Sequence, residues 1–433
     1  MSATVTGPRV RVSPGAPPKR WQVRVPGSKS LTNRALLLAG VAAGRSRLTA
    51  PLLADDTEVM AQALRALGAG VTAVAGADGP DWIVDGLGAA PAGERDVDCG
   101  MSGTVGRFIV PMLAAGAGRF AVDGHPQLRR RPLGPVLTAL RAQGARIDGE
   151  SLPLTIVADG LAGGDVDVDA SVSSQFLSGL LMAAPLARAA SRLRFGALVS
   201  APYLQLTVDV MGAFGVAVRR EHGALAVDRC AYRAAEIEIE PDVSTASYFL
   251  ASAALTATTV TLPGVDLDAT RQGDIELVDH LQAMGCVIAG RSPLSLTGPP
   301  QLHGVHVDMN SSSDVFMTLA CVAPFAQGPT TIEGVAHARV KESDRVGATA
   351  ENLRRLGITV EQGPDFLRVI PDPARPPRTA RLPTFEDHRI AMAFSLIGTR
   401  IPVELDDPDV VAKTCPSFFA LWRRSGAVVQ ESR

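Results

Sequence analysis

A phrase of apolar residues closed by glycine returns along the chain about every 72 residues, and this period limits the possible folds more than any other feature. It reads RALGAGV at 65–71, RAQGARI at 141–147, GAFGVAV at 212–218, QAMGCVI at 282–288 and RRLGITV at 354–360. Its glycines, Gly68, Gly144, Gly215, Gly285 and Gly357, lie 76, 71, 70 and 72 residues apart. Each follows a periodic stretch and precedes a β-branched run, the pattern of a helix ended by a left-handed glycine and then a strand. A second series of Ala- and Leu-rich helices begins near Ser30, Ser102, Ser174, Thr245, Asp314 and His388, at steps of 72, 72, 71, 69 and 74. With SFFALWRRSGAVV at 417–429 closing the last repeat, six units of helix, strand, helix and short strands account for the chain, and the fold class is α/β.

At 433 residues the chain exceeds what one hydrophobic core serves, so the units are expected to form two groups of three. One crossing between groups is expected where the alternating strand Glu236–Glu240 runs into Pro241 and the capping residue Asp242. A strand before Trp21 that pairs with the C-terminal half adds a second, giving domains of 1–22 with 241–433 and of 23–240.

The composition, 46% hydrophobic and 20% charged, is that of a packed globular chain, and a net charge of -2 leaves no basic excess for a nucleic acid partner. The longest apolar runs, 109–117 and 179–187, are too short for a bilayer and contain Pro111 and Pro185, so no membrane association is expected. The first 20 residues are Pro-rich and basic and read as a ragged terminus, not a signal peptide. Five separated cysteines without a C-x-x-C pair predict free thiols in a reducing cytoplasm. Of 42 basic residues only Lys19, Lys29, Lys341 and Lys413 are lysine. A compact ammonium that moves a proton or sits over one phosphate oxygen is the task for which Arg cannot substitute.

The unusual polar residues gather at the starts of the second helix series, where free N–H groups and the helix dipole favour anions. PGSKSLTNR at 26–34 sets Lys29 and Ser30 at a helix start with Arg34 one turn in, and it is no Walker loop. CGMSGTVGR at 99–107 is a Gly-rich entry that lets a ligand approach the backbone. Arg129 and Arg130 read as solvated, whereas Arg131 before Pro132 is better placed to be fixed. SVSSQF at 171–176, with Ser200 and Tyr203 later, offers a neutral donor nest. In RVKESDR at 339–345, Lys341 and Arg345 share a face if the stretch is helical, and Glu342 between them with Asp314 gives two carboxylates for proton transfer. DHRIAMA at 387–393 starts another helix with Arg389, Lys413 opens the last one, and no second His or Cys stands at zinc-ligand spacing.

Taken together, PGSKSLTNR, SGTVGR, SVSSQFL, VKESDR, DHRIAMAF and AKTCPSFF resemble the enolpyruvyl transferase family along essentially the whole chain, and within it the members that use shikimate 3-phosphate. The resemblance implies six βαβαββ units, three per domain, with the active site in the interdomain cleft. It implies transfer of the enolpyruvyl group of phosphoenolpyruvate to the 5-hydroxyl of shikimate 3-phosphate by addition and elimination, on the route to chorismate and aromatic amino acids. No metal or organic cofactor is implied, a monomer is expected, and glyphosate would compete for the phosphoenolpyruvate site. By the same resemblance Ser173, Ser174 and Ser200 hold the 3-phosphate with Lys341, Gln175 and Tyr203 line the ring, Ser30 and Arg34 take the carboxylate, and Lys29 also contacts this substrate. Asp314 faces the reacting hydroxyl and His337 contacts the same substrate. Phosphoenolpyruvate falls to Lys29, Gly103, Thr104, Arg131, Gln175, Arg345, Arg389 and Lys413, with Lys29, Asp314 and Glu342 as the catalytic groups.

Met101 replaces an Asn common in the family, His125 an acid, and His337 an Asn, which brings in a group expected to titrate near neutrality. The alternatives are transfer to a UDP-sugar and a noncatalytic anion-binding relative. Against the first, neither the Lys-Asn pair nor the catalytic Cys loop typical of UDP-sugar enzymes matches.

Overall fold

The computed structural model describes residues 7–77 and 79–432. The chain divides into two compact units: one comprises the described part of Met1–Pro26 together with Pro241–Arg433, the other Gly27–Glu240. Each has its own hydrophobic core.

Within Gly27–Glu240 the described strands form three four-stranded sheets, each holding one parallel pair. The middle sheet shows the repeat most plainly. Ala92–Asp98, helix Gly103–Ala114, Ala117–Asp123, helix Gly134–Ala142, Arg146–Asp148 and Leu154–Asp159 follow one another as βαβαββ. Its first two strands run parallel and the rest antiparallel. In the first sheet of this unit the leading strand comes from the far end, because Glu236–Glu238 pairs in parallel with Arg47–Thr49.

The other unit also has three four-stranded sheets among its described residues, plus a two-stranded pair, Leu302–His303 with Ala326–Gln327. Its N-terminal segment completes two of them. Arg20–Gln22 pairs in parallel with Thr259–Thr261, and Arg9–Ser13 lies between Val403–Asp406 and Val428–Ser432. The ragged terminus expected there is thus corrected from residue 9 onward, while residues 1–6 lie outside the described residues. Val10 and Val12 alternate into the core at 0% exposure, and that burial outweighs the flanking Pro and Arg. The first crossing falls after Pro26, not after residue 22, since Val23 and Val25 are buried in this same core and Val23 N–H bonds Thr261 O. At the second crossing Asp242 caps helix Val243–Thr256, its carboxylate accepting from Thr245 N–H at 2.7 Å.

The five repeat glycines take φ values of 102°, 92°, 84°, 108° and 85°, a region costly for any residue with a Cβ. Their recurrence therefore marks real helix ends. Among the described residues no helix is long and apolar enough to cross a membrane. All five cysteines are free, and only Cys230 is exposed.

Candidate active site

The predicted residues fall into two clusters, one in each unit. In Gly27–Glu240, helix Lys29–Val41 begins where Gly27 packs against the next loop: a Cβ there would stand 2.3 Å from Ala50 O. Ser28 caps this helix and Lys29 follows, almost buried, with Nζ 3.5 Å from Asp56 Oδ2. Asp56 was not visible as a partner, since an Asp in a first helical turn ordinarily answers the helix dipole. Arg34 is 1% exposed and donates to Thr207 Oγ1 (2.8 Å), Ser30 O (2.9 Å) and Tyr203 O (3.1 Å), over the Phe108 ring. Burial lowers its pKa to about 10, still well above neutrality. Three of its five N–H donors serve the protein, so Arg34 fixes Ser30 and Tyr203 relative to each other as well as offering charge.

Helix Gly103–Ala114 is capped by Ser102. A Cβ on Gly103 would fall 2.1 Å from Arg131 Nη1, so the guanidinium lies directly against this helix start. Arg131 is buried, whereas Arg129 pairs with Asp123 at the surface and Arg130 is exposed, as the Pro-adjacent reading required. Helix Ser174–Ala183 is capped by Ser173, and Gln175 is held from both ends: Arg107 Nη1 donates to its Oε1 (2.8 Å) and its Nε2 to Thr104 Oγ1 (3.3 Å). Arg107 also approaches Ser173 Oγ at 3.5 Å and stacks over Phe176. Ser171 is turned to Asp169 and exposed, while Ser174 is buried. Ser200 holds a left-handed φ of 51° ahead of helix Ala201–Ala213, a strained backbone of the kind that collects at sites.

In the other unit one carboxylate gathers three cations. Asp314 Oδ1 accepts from Lys341 Nζ and from Arg345 Nη1 (2.9 Å), and Oδ2 from Arg389 Nη2 (2.8 Å). Arg345, 1% exposed, also donates to Asp387 Oδ2 (2.8 Å) and Glu342 Oε2 (2.7 Å), and Lys413 Nζ reaches Glu342 Oε1 at 3.2 Å. Burial opposes the Arg345 charge, but Asp387, Glu342 and Asp314 outweigh it and hold its pKa above the ordinary guanidinium value. Burial lowers the Lys341 pKa against the pull of Asp314. Asp387 caps helix His388–Ser395 and so ties the Arg389 backbone to the same network.

Three expectations change here. Lys341 and Arg345 do not share a helical face: Asp344 caps a helix that starts only at Arg345, and Asp314 joins the two cations instead. Lys413 ends the 3-10 segment Pro408–Lys413 and does not open the last helix, which is Phe418–Trp422. His337 does not titrate near neutrality. Burial, reinforced by the Lys341 ammonium, pushes its pKa down to about 3 against the opposing charge of Asp314, and its Nε2 lies 2.6 Å from Ser313 Oγ. Ser313 also accepts from Lys341 at 3.0 Å, a polar link that no sequence motif announced. Of the other departures, His125 caps the turn Pro126–Arg129, its Nδ1 accepting from Gln127 N–H.

Residues 18–422 match the family model described as EPSP synthase (3-phosphoshikimate 1-carboxyvinyltransferase). A 3-phosphoshikimate 1-carboxyvinyltransferase of Nostoc punctiforme is 41% identical over 416 residues, covering 92% of this chain and 94% of that relative. One from Thiobacillus denitrificans is 42% identical over 425 residues, covering 94% and 97%. The solved structure of an EPSP synthase from Acinetobacter baumannii superposes with a TM-score of 0.80 at 26% identity, over 98% of this chain and 100% of that one. Repeated α/β units, the two polar clusters and near full-length similarity converge on one assignment: the chain belongs to the EPSP synthase family.

Proposed function

We propose that this chain transfers the enolpyruvyl group of phosphoenolpyruvate to the 5-hydroxyl of shikimate 3-phosphate, and that both clusters serve this one pair of substrates. The carrying observation is Asp314 held by Lys341, Arg345 and Arg389, a carboxylate fixed among the cations that an anionic co-substrate also needs.

Shikimate 3-phosphate takes Ser173, Ser174, Ser200 and Lys341 at its phosphate, Gln175 and Tyr203 along the ring, and Ser30 and Arg34 at its carboxylate. Asp314 serves the reacting hydroxyl, and His337 contacts this substrate as a neutral ring, in keeping with its lowered pKa. Phosphoenolpyruvate takes Lys29, Arg131, Arg345, Arg389 and Lys413, with Gln175 and the helix start at Gly103 and Thr104. Fixed donors of this kind stabilise developing charge without reorganising during the reaction.

The hydroxyl oxygen bonds to C2 of the enol and loses its proton to a carboxylate while C3 gains a proton, giving a tetrahedral ketal. C3 then gives up a proton, the bond from C2 to the phosphate oxygen breaks, and inorganic phosphate leaves. Asp314 and Glu342 exchange these protons, and Lys29 offsets charge on the departing phosphate. The reading is tested by phosphate release from phosphoenolpyruvate with and without shikimate 3-phosphate, and with a UDP-sugar in its place. Release that needs shikimate 3-phosphate supports it; a folded chain that yields no enolpyruvyl ether, or prefers the UDP-sugar, defeats it.

A further inference from the structure

A second carboxylate, Asp274, reaches Arg389 through one hydroxyl. Asp274 is 1% exposed and lies in the turn Gly273–Glu276. Gln272 fastens this turn to the start of helix Val243–Thr256, its Oε1 accepting from Val243 N–H (3.1 Å) and its Nε2 donating to Pro241 O (2.8 Å). Asp274 Oδ2 thereby meets the Ser244 hydroxyl, while its Oδ1 is buried without a hydrogen-bond partner. Ser244 Oγ also stands 3.3 Å from Arg389 Nη2, which donates in turn to Asp314 Oδ2.

The polarity of this chain follows from its members. A guanidinium only donates, so Ser244 must accept from Arg389, and its single proton is then directed to Asp274. Asp274 is thus an indirect counter-charge for Arg389, delivered through one hydroxyl. If Asp274 were amidated or protonated, the Ser244 hydroxyl would lose its charged acceptor, and the bond it relays to Arg389 would be weakened.

We propose that Asp274, acting through Ser244, is a positioning residue for Arg389 and so sets the affinity for the anionic enol substrate without touching it. This rests on the assignment of Arg389 to phosphoenolpyruvate. Burial, and then the charge of Asp314, raise the Asp274 carboxyl to about 6; Arg389 and the Ser244 bond oppose the rise and Asp242 adds to it. The counter-charge is therefore present above that pH and lost below it.

The test is steady-state phosphate release by the full-length wild type, Asp274→Asn, Ser244→Ala and the double variant, with both substrates varied. Each single variant should raise KM for phosphoenolpyruvate about tenfold, the loss of one charge-assisted hydrogen bond, while KM for shikimate 3-phosphate changes less than about twofold and kcat less than about threefold. The double variant should be no worse than the singles, because both break one chain. The ratio of the Asp274→Asn KM to the wild-type KM should fall toward one as pH drops below 6, and the ionisation of the substrate itself cancels in that ratio. An unchanged KM for phosphoenolpyruvate in the variants, or equal rises for both substrates with a flat pH ratio, overturns the proposal. If Asp274→Asn does not fold, Ser244→Ala alone decides by the same KM criteria. A wild type that releases no phosphate from the substrate pair defeats the functional reading instead.

Discussion

Replacing Gly103 with alanine separates the helix start from the arginine packed on it. The added methyl would stand 2.1 Å from Arg131 Nη1, 2.4 Å from Cζ and 2.8 Å from Nη2. An ordinary contact needs roughly 3.5 Å, so the guanidinium must retreat by more than ~1 Å. The colliding atoms are the end of a flexible side chain and Gly103 does not have positive φ, so the backbone can stay in place. Alanine in a helix is also favoured over glycine by up to about 1 kcal/mol. Folding should therefore be unharmed while the anion contact is lost. A charge-assisted bond of about 1.5–3 kcal/mol predicts a rise in KM for phosphoenolpyruvate of roughly 10–150-fold. Initial rates with each substrate varied, beside urea unfolding of both proteins, make the comparison. Adding Arg131→Ala to the alanine variant should cost little more, since the contact is already gone. A KM for phosphoenolpyruvate within about twofold of wild type, with the fold intact, would refute the reasoning that Arg131 acts from this position.

Lys29→Met should lower kcat by at least about a thousandfold and also lower the urea midpoint, because Asp56 at 3% exposure loses its partner; adding Asp56→Asn should recover the midpoint but not turnover. Arg345→Leu leaves Asp387, Glu342 and Asp314 short of one shared counter-charge and should cost about 3–5 kcal/mol in chemical denaturation. For His337 the sign follows from a folded pKa of about 3 below an unfolded value of 6.5: its proton goes to the unfolded chain first, so stability is lost as pH falls from 6.5 toward 3. His337→Asn should remove that slope, about 2 kcal/mol by pH 5, in paired unfolding curves, and should leave the shape of the rate profile above pH 6 unchanged.

The repeat was readable because its punctuation is conformational. Gly68, Gly144, Gly215, Gly285 and Gly357 occupy backbone that glycine enters without penalty, so the sequence carries the mark at every helix end. The helix starts near Ser30, Ser102, Ser174 and His388 were readable for the same local reason, and Ser28, Ser102, Ser173 and Asp387 cap them. What escaped was long-range pairing. Lys29 meets Asp56, and Lys341 meets Ser313 and Asp314, across intervals that no helical or strand period relates. The four-residue spacing of Lys341 and Arg345 invited a helical reading, but Asp344 begins the helix between them. His337 was misjudged because its titration depends on burial and on Lys341, both products of tertiary structure.

A net charge of -2 is compatible with binding doubly charged anions because the charge that matters is local and already paired. In the C-terminal cluster four cations, Lys341, Arg345, Arg389 and Lys413, face three carboxylates, Asp314, Glu342 and Asp387. Buried charges without such partners would be costly, and a bare patch of that size would oppose folding. Pairing removes that cost and fixes each donor before any ligand arrives. Under the proposed function, an incoming phosphate or carboxylate would compete with Asp314 and Glu342 for the same N–H groups. Each cation drawn to substrate takes stabilising charge from a carboxylate and makes that carboxylate a better proton acceptor. Arg345, held by Asp387 at 0% exposure, is the cation least free to move, whereas Lys341 and Lys413 each sit on a flexible stem; under the proposed function these two lysines would be the donors that adjust to substrate.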